Sequence, residues 1–519
     1  MAEPLFRTRS TAPPLTLVLP SPPSDSEKYS YIERNLVYLA VVMVAGFIAA
    51  TASQIWFEAT SGWWPFGIFT GVGVLSFGLA LPLSFFGHGF DLALHKERVS
   101  TWRVDSYPDV DIFLPICNEP LAILRNSWRG VLALIATYPG RVSAHVLDDG
   151  ADSAAEALAR DFGFHYVVRP DRGENKKSGN LRYAFANTSG EFILILDADF
   201  VPRADFLTET LPYMDDPKMA IVQTPQFFRS DPKQTWVERA AGAVQEVFYR
   251  SIQVARDRLA ASICVGTCAL YRRSALDQEG GTTLIPYAED VHTGLDARRN
   301  GWDIVYLPLP LTTGMCPDNL AAFVRQQYRW CTGSTSTVLT SRMWTVPMSL
   351  RARLTYVSGF FYYVQTALAV FAIPLIPVCL LLFRADAIVL ENSRLILLAL
   401  AASLVLLPLW NRSQYLAREV VPLSTARGWA HALAIWDYLR GKTMTWQPSG
   451  ARVSSVRRFQ VGVVVWNGLI GISWVALATW RTVEYRSVDY IIVLLLGLGY
   501  AASTARLLGE PLKAAPARA

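Results

Sequence analysis

The apolar run at residues 193–196 is followed at once by Asp197 and Asp199, one residue apart, in ILILDADFVP. Side chains of a strand alternate with a period of two, so both carboxylates are expected to leave the strand end on the same side. Carboxylates that close repel one another unless a positive charge lies between them. A divalent cation, Mg2+ or Mn2+, meets that need, because such ions take one or two carboxylates and complete their shell with phosphate oxygens. A D-x-D pair by itself also occurs in solvated turns and as a helix cap; its company sets this one apart. Lys177, in NKKSGN, is placed to meet phosphates, and Asp149, in DDG, supplies a third carboxylate.

Strands and helices alternate around these residues. Val110–Leu114 reads as a buried strand entering the loop PICNEP, and a helix is expected over Leu121–Ala136. VSAHVLDDG is a second strand, and the following helix is capped by Asp152. FHYVVRP, GNLRYAFANTS and EFILILDAD continue as strand, helix and strand. That order predicts a mainly parallel sheet with ligands at the carboxyl ends of its strands, so Asp149, Asp197 and Asp199 should meet along one edge.

The chain of 519 residues is 52% hydrophobic with a formal charge of +5, and its apolar sequence collects near both ends. Six spans of bilayer length are expected, at about 34–54, 65–86, 355–383, 392–410, 460–480 and 488–508. Residues 1–30, Pro-rich and mildly charged, are expected to be a disordered cytosolic tail. The connection at 412–459 carries Arg412, Arg418, Arg427, Arg440, Lys442, Arg452, Arg457 and Arg458 against Glu419 and Asp437. The link between the first two spans has no basic residue, which places the central domain and both termini on the cytosolic side. The expected organisation is a tail (1–30), two spans (31–90), a catalytic domain with interface helices (91–350), two spans (351–411), a cytosolic interface segment (412–459), two spans (460–510) and a short tail (511–519). Six cysteines without zinc spacing read as reduced thiols. The positive charge is explained by inside-facing loops, and no basic stretch is interleaved with stacking aromatics, so nucleic acid is not an expected partner.

Five motifs, PICNEP, DDG, DAD, AED and QQYRW, follow one another in the order found in the processive, membrane-embedded family 2 glycosyltransferases of the cellulose synthase type, which the chain resembles over about residues 108–340. The resemblance implies a GT-A-type, Rossmann-like α/β domain between transmembrane helices. It implies that Asn118, Glu119 and Asp149 contact the uracil and ribose of a UDP-sugar, with Lys177 on its diphosphate. Asp197 and Asp199 would hold nucleotide and metal, and Asp290, with Glu289 beside it, would be the catalytic base. Gln326, Gln327, Arg329 and Trp330 would hold the acceptor sugar and the pyrophosphate. Trp446, Pro448, Ser449 and Gly450 resemble the W-x-P-[ST]-G element of a loop that closes over the nucleotide. Departures are Cys117 where a Tyr is usual, Ala288 in place of Thr, and Val265 in place of Cys, and they leave the identity of the polymer open.

The chemistry agrees with these roles. Inverting transfer is an in-line displacement in which a base deprotonates the acceptor hydroxyl while the nucleotide departs from the opposite face. Arg329 and a metal would absorb the charge on the leaving diphosphate, and Trp330 offers a sugar ring an apolar face. The expected activity is extension of a β-linked glucan from UDP-glucose with export through the spans, where Tyr356, Tyr362, Tyr363, Gln365 and Trp466 are candidates for lining a path or for ordinary helix packing. Accessory export subunits are expected partners, and no cyclic-di-GMP domain is expected in this chain. The alternatives are a non-processive transferase acting on a lipid acceptor and a transporter that only binds nucleotide-sugar.

Overall fold

Val110–Ile116 is apolar on both faces apart from Asp111, and it forms an interior strand, β1, of a seven-stranded sheet. Its neighbours are β2 (Val142–Asp148) and β4 (Phe192–Ile195), both parallel to it. The computed structural model describes residues 18–32, 36–78, 90–388, 393–402, 417–442 and 454–510. The remaining strands of this sheet are β3 (His165–Val167), β6 (Met219–Gln223), β8 (Ala269–Arg272) and β9 (Asp303–Tyr306), in the order β3-β2-β1-β4-β8-β6-β9. Only β8 runs against its neighbours. A second sheet orders β5 (Val201–Pro202), β10 (Thr312–Gly314) and β7 (Phe227–Phe228) as β5-β10-β7.

Helix Leu121–Thr137 buries Leu124, Trp128, Val131 and Leu134, three or four residues apart, against one face of the large sheet. Helices Lys176–Ala186 and Glu289–Arg299 cover the other with Leu181, Ala184 and Ala297. Asp111 is tolerated inside the core because it accepts hydrogen bonds from the Gly190 amide (2.7 Å) and Arg273 (2.9 Å) and lies 3.2 Å from His145. The expected mainly parallel arrangement is the one observed, with Asp152 capping its helix through the Ala154 amide at 2.9 Å.

The structure departs from the sequence reading in three places. The D-x-D pair follows β4 rather than ending it: pairing with β8 stops at Ile195, and residues 197–200 form a turn closed by the Phe200 amide on the Asp197 carbonyl (3.1 Å). Residues 18–30, expected to be part of a disordered tail, are ordered. Helix Asp25–Ser30 begins with a Ser24–Glu27 capping box, and Lys28, 1% exposed, is buried between Asp205 and Glu209. Arg203 pairs with Asp25, Arg229 pairs with Glu27, and Asn126 donates to the Pro20 carbonyl. Third, three described helices are long and apolar enough to cross a bilayer, Leu350–Phe383, Val456–Tyr485 and Val488–Gly509. The count of about six is not reached among the described residues. Leu36–Ser61 is a 26-residue helix over the first expected span, while Gly67–Gly78 and Ser393–Ala402 are shorter apolar helices beside segments outside the described residues.

Helix Ala417–Leu439 packs between Leu320–Leu339 and Leu350–Phe383. At its crossing with Leu350–Phe383, a Cβ on Gly428 would lie 2.5 Å from Val370, so the two backbones approach as only glycine permits. Of the candidate path residues, Tyr363 meets the ring of His431 at 4.7 Å, Trp466 donates to the Val370 carbonyl, and Tyr356 packs in a cluster at the base of Leu350–Phe383.

Candidate active site

The loops at the carboxyl ends of β2, β1 and β4 face the same edge. After β1, Asn118 adopts a left-handed backbone (φ 65°), and the turn folds the Glu119 carboxylate back onto the Cys117 amide at 2.5 Å. Burial pushes the Glu119 carboxyl up, reinforced by the negative charges of Asp197 and Asp148. After β2, the two aspartates of DDG separate their tasks. Asp148 is buried and structural, accepting from the Gly150 and Asp152 amides (2.6 and 2.9 Å) and the Tyr166 hydroxyl (2.7 Å). Asp149 faces Arg169, which donates Nε to Oδ1 at 2.7 Å and Nη2 to Oδ2 at 2.8 Å.

Arg169 is 1% exposed and was not a sequence candidate, since it follows β3 in an ordinary-looking RPD turn. Its Nη2 also donates to the Lys176 carbonyl (3.2 Å), so one guanidinium fixes the DDG loop and the turn that presents Lys177. That turn is held from both sides. Asn180 donates to the Leu147 carbonyl of β2 (2.7 Å), and the Ser178 hydroxyl donates to the Ile285 carbonyl (2.7 Å), a few residues before AED.

Lys177 occupies the middle of the cleft. Its Nζ donates to Asp197 Oδ1 at 2.5 Å and to the Gly266 carbonyl at 2.8 Å. Gly266 in turn lies on Asp290: a Cβ built there, at φ 73°, would sit 2.9 Å from the Asp290 Cβ. Residues 177, 197 and 290, from three separate segments, are therefore one cluster. Burial and the charge of Asp197 push the Asp199 carboxyl up to about 7. Burial and the charge of Glu289 raise Asp290, while the Lys177 ammonium pulls it down.

Helix Glu289–Arg299 starts two residues earlier than its apolar pattern suggests, with Asp290 in its first turn behind Ala288 at φ 51°. Helix Leu320–Leu339 crosses it closely: a Cβ on Gly333 would lie 2.5 Å from the Ala288 Cβ, and His292 Nε2 is 3.3 Å from Ser336 Oγ. This contact brings QQYRW to the cluster around Asp290. Gln326 Oε1 and Gln327 Nε2 are shielded from water and have no protein partner among the described residues. Arg329 is exposed within the field of Glu289, Asp197 and Asp290, and Trp330 is half-buried beside it. Tyr328, by contrast, is an anchor, donating its hydroxyl to Asp437 (2.8 Å), which also pairs with Arg458. Trp446, Pro448, Ser449 and Gly450 lie outside the described residues.

Among the described residues no three His, Cys, Asp or Glu side chains gather as a ready-made metal cage. Asp197 and Asp199 fit a cation of another kind. Their mutual repulsion, visible in the raised Asp199, would be relieved by a divalent ion that takes its other ligands from a phosphorylated substrate.

With this geometry, the comparison with known proteins is specific. The family model described as "Glycosyltransferase like family 2" matches residues 122–333. The chain is thus similar to glycosyltransferase family 2 over residues 122–333. The matched stretch contains Asp149, Lys177, Asp197, Asp199, Asp290 and the whole of QQYRW, whereas Asn118 and Glu119 precede the matched residues. Cellulose synthase 1 of Komagataeibacter xylinus is 40% identical over 233 residues, covering 44% of this chain and 15% of that protein. The UDP-forming cellulose synthase catalytic subunit of Pseudomonas fluorescens is 33% identical over 314 residues, 58% of this chain and 42% of the relative. The matched part thus spans less than half the length of either relative. A solved mannosyltransferase from Pyrobaculum calidifontis, in complex with GDP-Man and Mn2+, is 17% identical with a TM-score of 0.47, covering 72% of this chain and 99% of its own.

Proposed function

We propose that the protein is a membrane-embedded, inverting glycosyltransferase that extends a β-linked polysaccharide from a UDP-sugar, with UDP-glucose as donor, and passes the product across the membrane. The observation that carries this reading is the cluster in which Lys177 binds Asp197 and the Gly266 carbonyl while Asp290 packs against the Cα side of Gly266. It supplies a cation for a diphosphate and, on a separate segment, a raised carboxyl suited to general-base work near neutral pH. The relatives named as UDP-forming cellulose synthases support donor and product.

In this reading Asp149, oriented by Arg169, and Asn118 and Glu119 bind the nucleoside. Asp197 and Asp199 hold Mg2+ or Mn2+, which when bound supplies Lewis-acid neutralisation of the departing diphosphate. Lys177 releases Asp197 and turns to the phosphates, and Arg329 adds a second positive charge. Asp290 removes the proton from the acceptor hydroxyl. Trp330 stacks on the terminal sugar, and the unpartnered amide groups of Gln326 and Gln327 give it hydrogen bonds. Arg458 and Tyr328 meet on Asp437, so the described residues on either side of 443–453 are tied beside QQYRW. Apolar helices of bilayer length beside this helix suit export of a growing chain.

The test uses the full chain in lipid vesicles with a panel of radiolabelled UDP-sugars, followed by linkage-specific hydrolases. Wild type is expected to make hydrolase-sensitive polymer from UDP-glucose, and Asp290→Asn to lose synthesis by roughly 100-fold or more. Polymer formation undiminished in Asp290→Asn removes the assigned base. Uptake of intact nucleotide-sugar without polymer would favour a transporter, and single-sugar glycolipid a non-processive enzyme.

A further inference from the structure

Away from the donor cleft, positive charge collects where the catalytic domain meets the base of the long apolar helix Leu350–Phe383. Segments 253–258, 296–299 and 342–353 pack there around a small cluster that includes Ala261, Leu295, Met343, Val346, Ala352 and Tyr356. Together they carry seven arginines against Asp257 and Asp296. Asp296 is already taken by Arg299 and Arg342. Asp257 accepts from the Tyr306 amide (2.7 Å) and the Ser262 hydroxyl (2.9 Å); Arg298 and Arg258 lie within its field, but among the described residues neither makes an ion pair with it.

The other arginines are left short of acceptors. Arg256 and Arg298 are 5% and 7% exposed. Arg256 donates Nη2 to the Thr355 carbonyl, and Arg353 donates Nη2 to the Val346 carbonyl. Yet Nε of Arg256, Arg258, Arg298 and Arg353, and Nη2 of Arg298, are sealed from water with no acceptor among the described residues. Burying charged N–H groups unpaired is costly, and several at one place indicate an anion.

The setting names the kind of anion. Leu339, Trp344 and Leu350 project beside the arginines with 51%, 48% and 72% of their surfaces exposed. A 34-residue helix is about 51 Å long against a hydrocarbon thickness of about 30 Å, and its first turn carries Arg351 and Arg353 whereas no charge follows before Arg384, so the overhang at headgroup level is assigned to its first turns. An apolar rim around buried guanidiniums at that depth suits a ligand with a phosphate and acyl chains, and does not suit a soluble phosphate.

We propose that Arg256, Arg258, Arg298 and Arg353 form a binding site for the phosphodiester headgroup of an anionic phospholipid, with Leu339, Trp344 and Leu350 seated against its acyl chains. The site stands independently of the donor reading. It is tested by native mass spectrometry of the full chain in detergent, titrated with phosphatidylglycerol or with phosphatidylcholine of the same acyl chains. Wild type is expected to retain phosphatidylglycerol in preference by about tenfold or more, and not to release it to millimolar inorganic phosphate. The double variant Arg258→Gln with Arg353→Gln, at two only partly buried positions, should lose one tightly held lipid per chain, and Arg298→Gln should do the same. Should Arg298→Gln fail to fold, the double variant decides. Equal retention of the two lipids, or an unchanged number of tight adducts in the double variant, overturns the proposal. Displacement by phosphate alone overturns the lipid assignment.

Discussion

Asp290 is raised because burial disfavours its charged form and Glu289 adds a like charge, with Lys177 opposing both. The acid limb of kcat/KM reports the free enzyme's base, so activity should be lost, as pH falls, above the usual carboxylate range. Glu289→Gln removes a charge that raises Asp290, so the limb should move to lower pH. Lys177→Met removes the charge that lowers it, so the limb should move up. An acid limb that stays in place in both variants would assign it to another group. Stability carries the opposite sign. Below about pH 3.9 the carboxyl is neutral folded or unfolded; above that the unfolded chain ionises first and the native state loses stability until its own carboxyl ionises. Asp290→Asn should therefore melt higher than wild type at pH 8 while being inactive, as differential scanning calorimetry would show. These aspartates were legible in the sequence through their company, since DDG, NKKSGN, DAD and AED follow one another along the alternating strands and helices. Arg169 was not, since its value comes from meeting Asp149 across twenty residues, and nothing in RPD announces that. Arg169→Lys keeps the charge but not the two parallel bonds, and should raise the donor KM by about tenfold with a smaller change in kcat. Arg169→Ala leaves a mostly buried carboxylate alone, at a cost of about 3–5 kcal/mol of stability by denaturant titration.

Between elements, the decisive contact is Gly333 on Ala288, since it sets the distance from the base to the acceptor-side helix. Gly333→Ala would place two Cβ atoms 2.5 Å apart, and one helix must move. Overpacking of this kind costs about 1–3 kcal/mol, and the polymerisation rate should fall further than stability does, because Gln326 and Trp330 move away from Asp290. Adding Ala288→Gly removes the opposing methyl at a left-handed position that glycine adopts freely, and should restore most of the rate. A double variant no better than Gly333→Ala would mean that helix spacing is not what the glycine protects. The sequence made the helices themselves readable through their apolar period, and strand alternation made the sheet readable. It misplaced the D-x-D pair into the strand because apolar sequence runs on to Leu196 while pairing to β8 ends at Ile195. Where a strand stops depends on its partner's length, which local pattern does not contain.

At the scale of the whole molecule, segment 18–32 is a strap across the small sheet behind the cation turn. It escaped the sequence reading because it is Pro-rich and polar, and what orders it is charge supplied from residues about 180 positions away. The contacts divide by burial. Asp25, on Arg203, is mostly exposed and its pair should weaken with salt, whereas Lys28 between Asp205 and Glu209 is sealed and should not. Burial opposes the charge of Lys28, but its two carboxylates hold its pKa above the ordinary lysine value. Burial likewise opposes Asp205, but Arg203 and Lys28 hold it below the ordinary aspartate value. The lysine's contribution is complete below about pH 10.4 and is lost as pH rises through its raised value. That of Asp205 is complete above about pH 3.9 and is lost as pH falls through its lowered value. The contact between Lys28 and Asp205 should accordingly be insensitive to pH between those limits. Lys28→Ala leaves Asp205 to Arg203 and Glu209 to His95 and should cost about 1–3 kcal/mol, with Lys28→Met costing no less because neither acid gains a partner. Val201 and Pro202 of β5 directly follow the turn at 197–200, so loosening the strap should reach the donor site. UDP affinity in the presence of Mn2+, measured by calorimetry, is expected to fall several-fold in Lys28→Ala, with faster amide exchange in β5, β7 and β10. Faster exchange there with unchanged UDP affinity would confine the strap to a purely stabilising part.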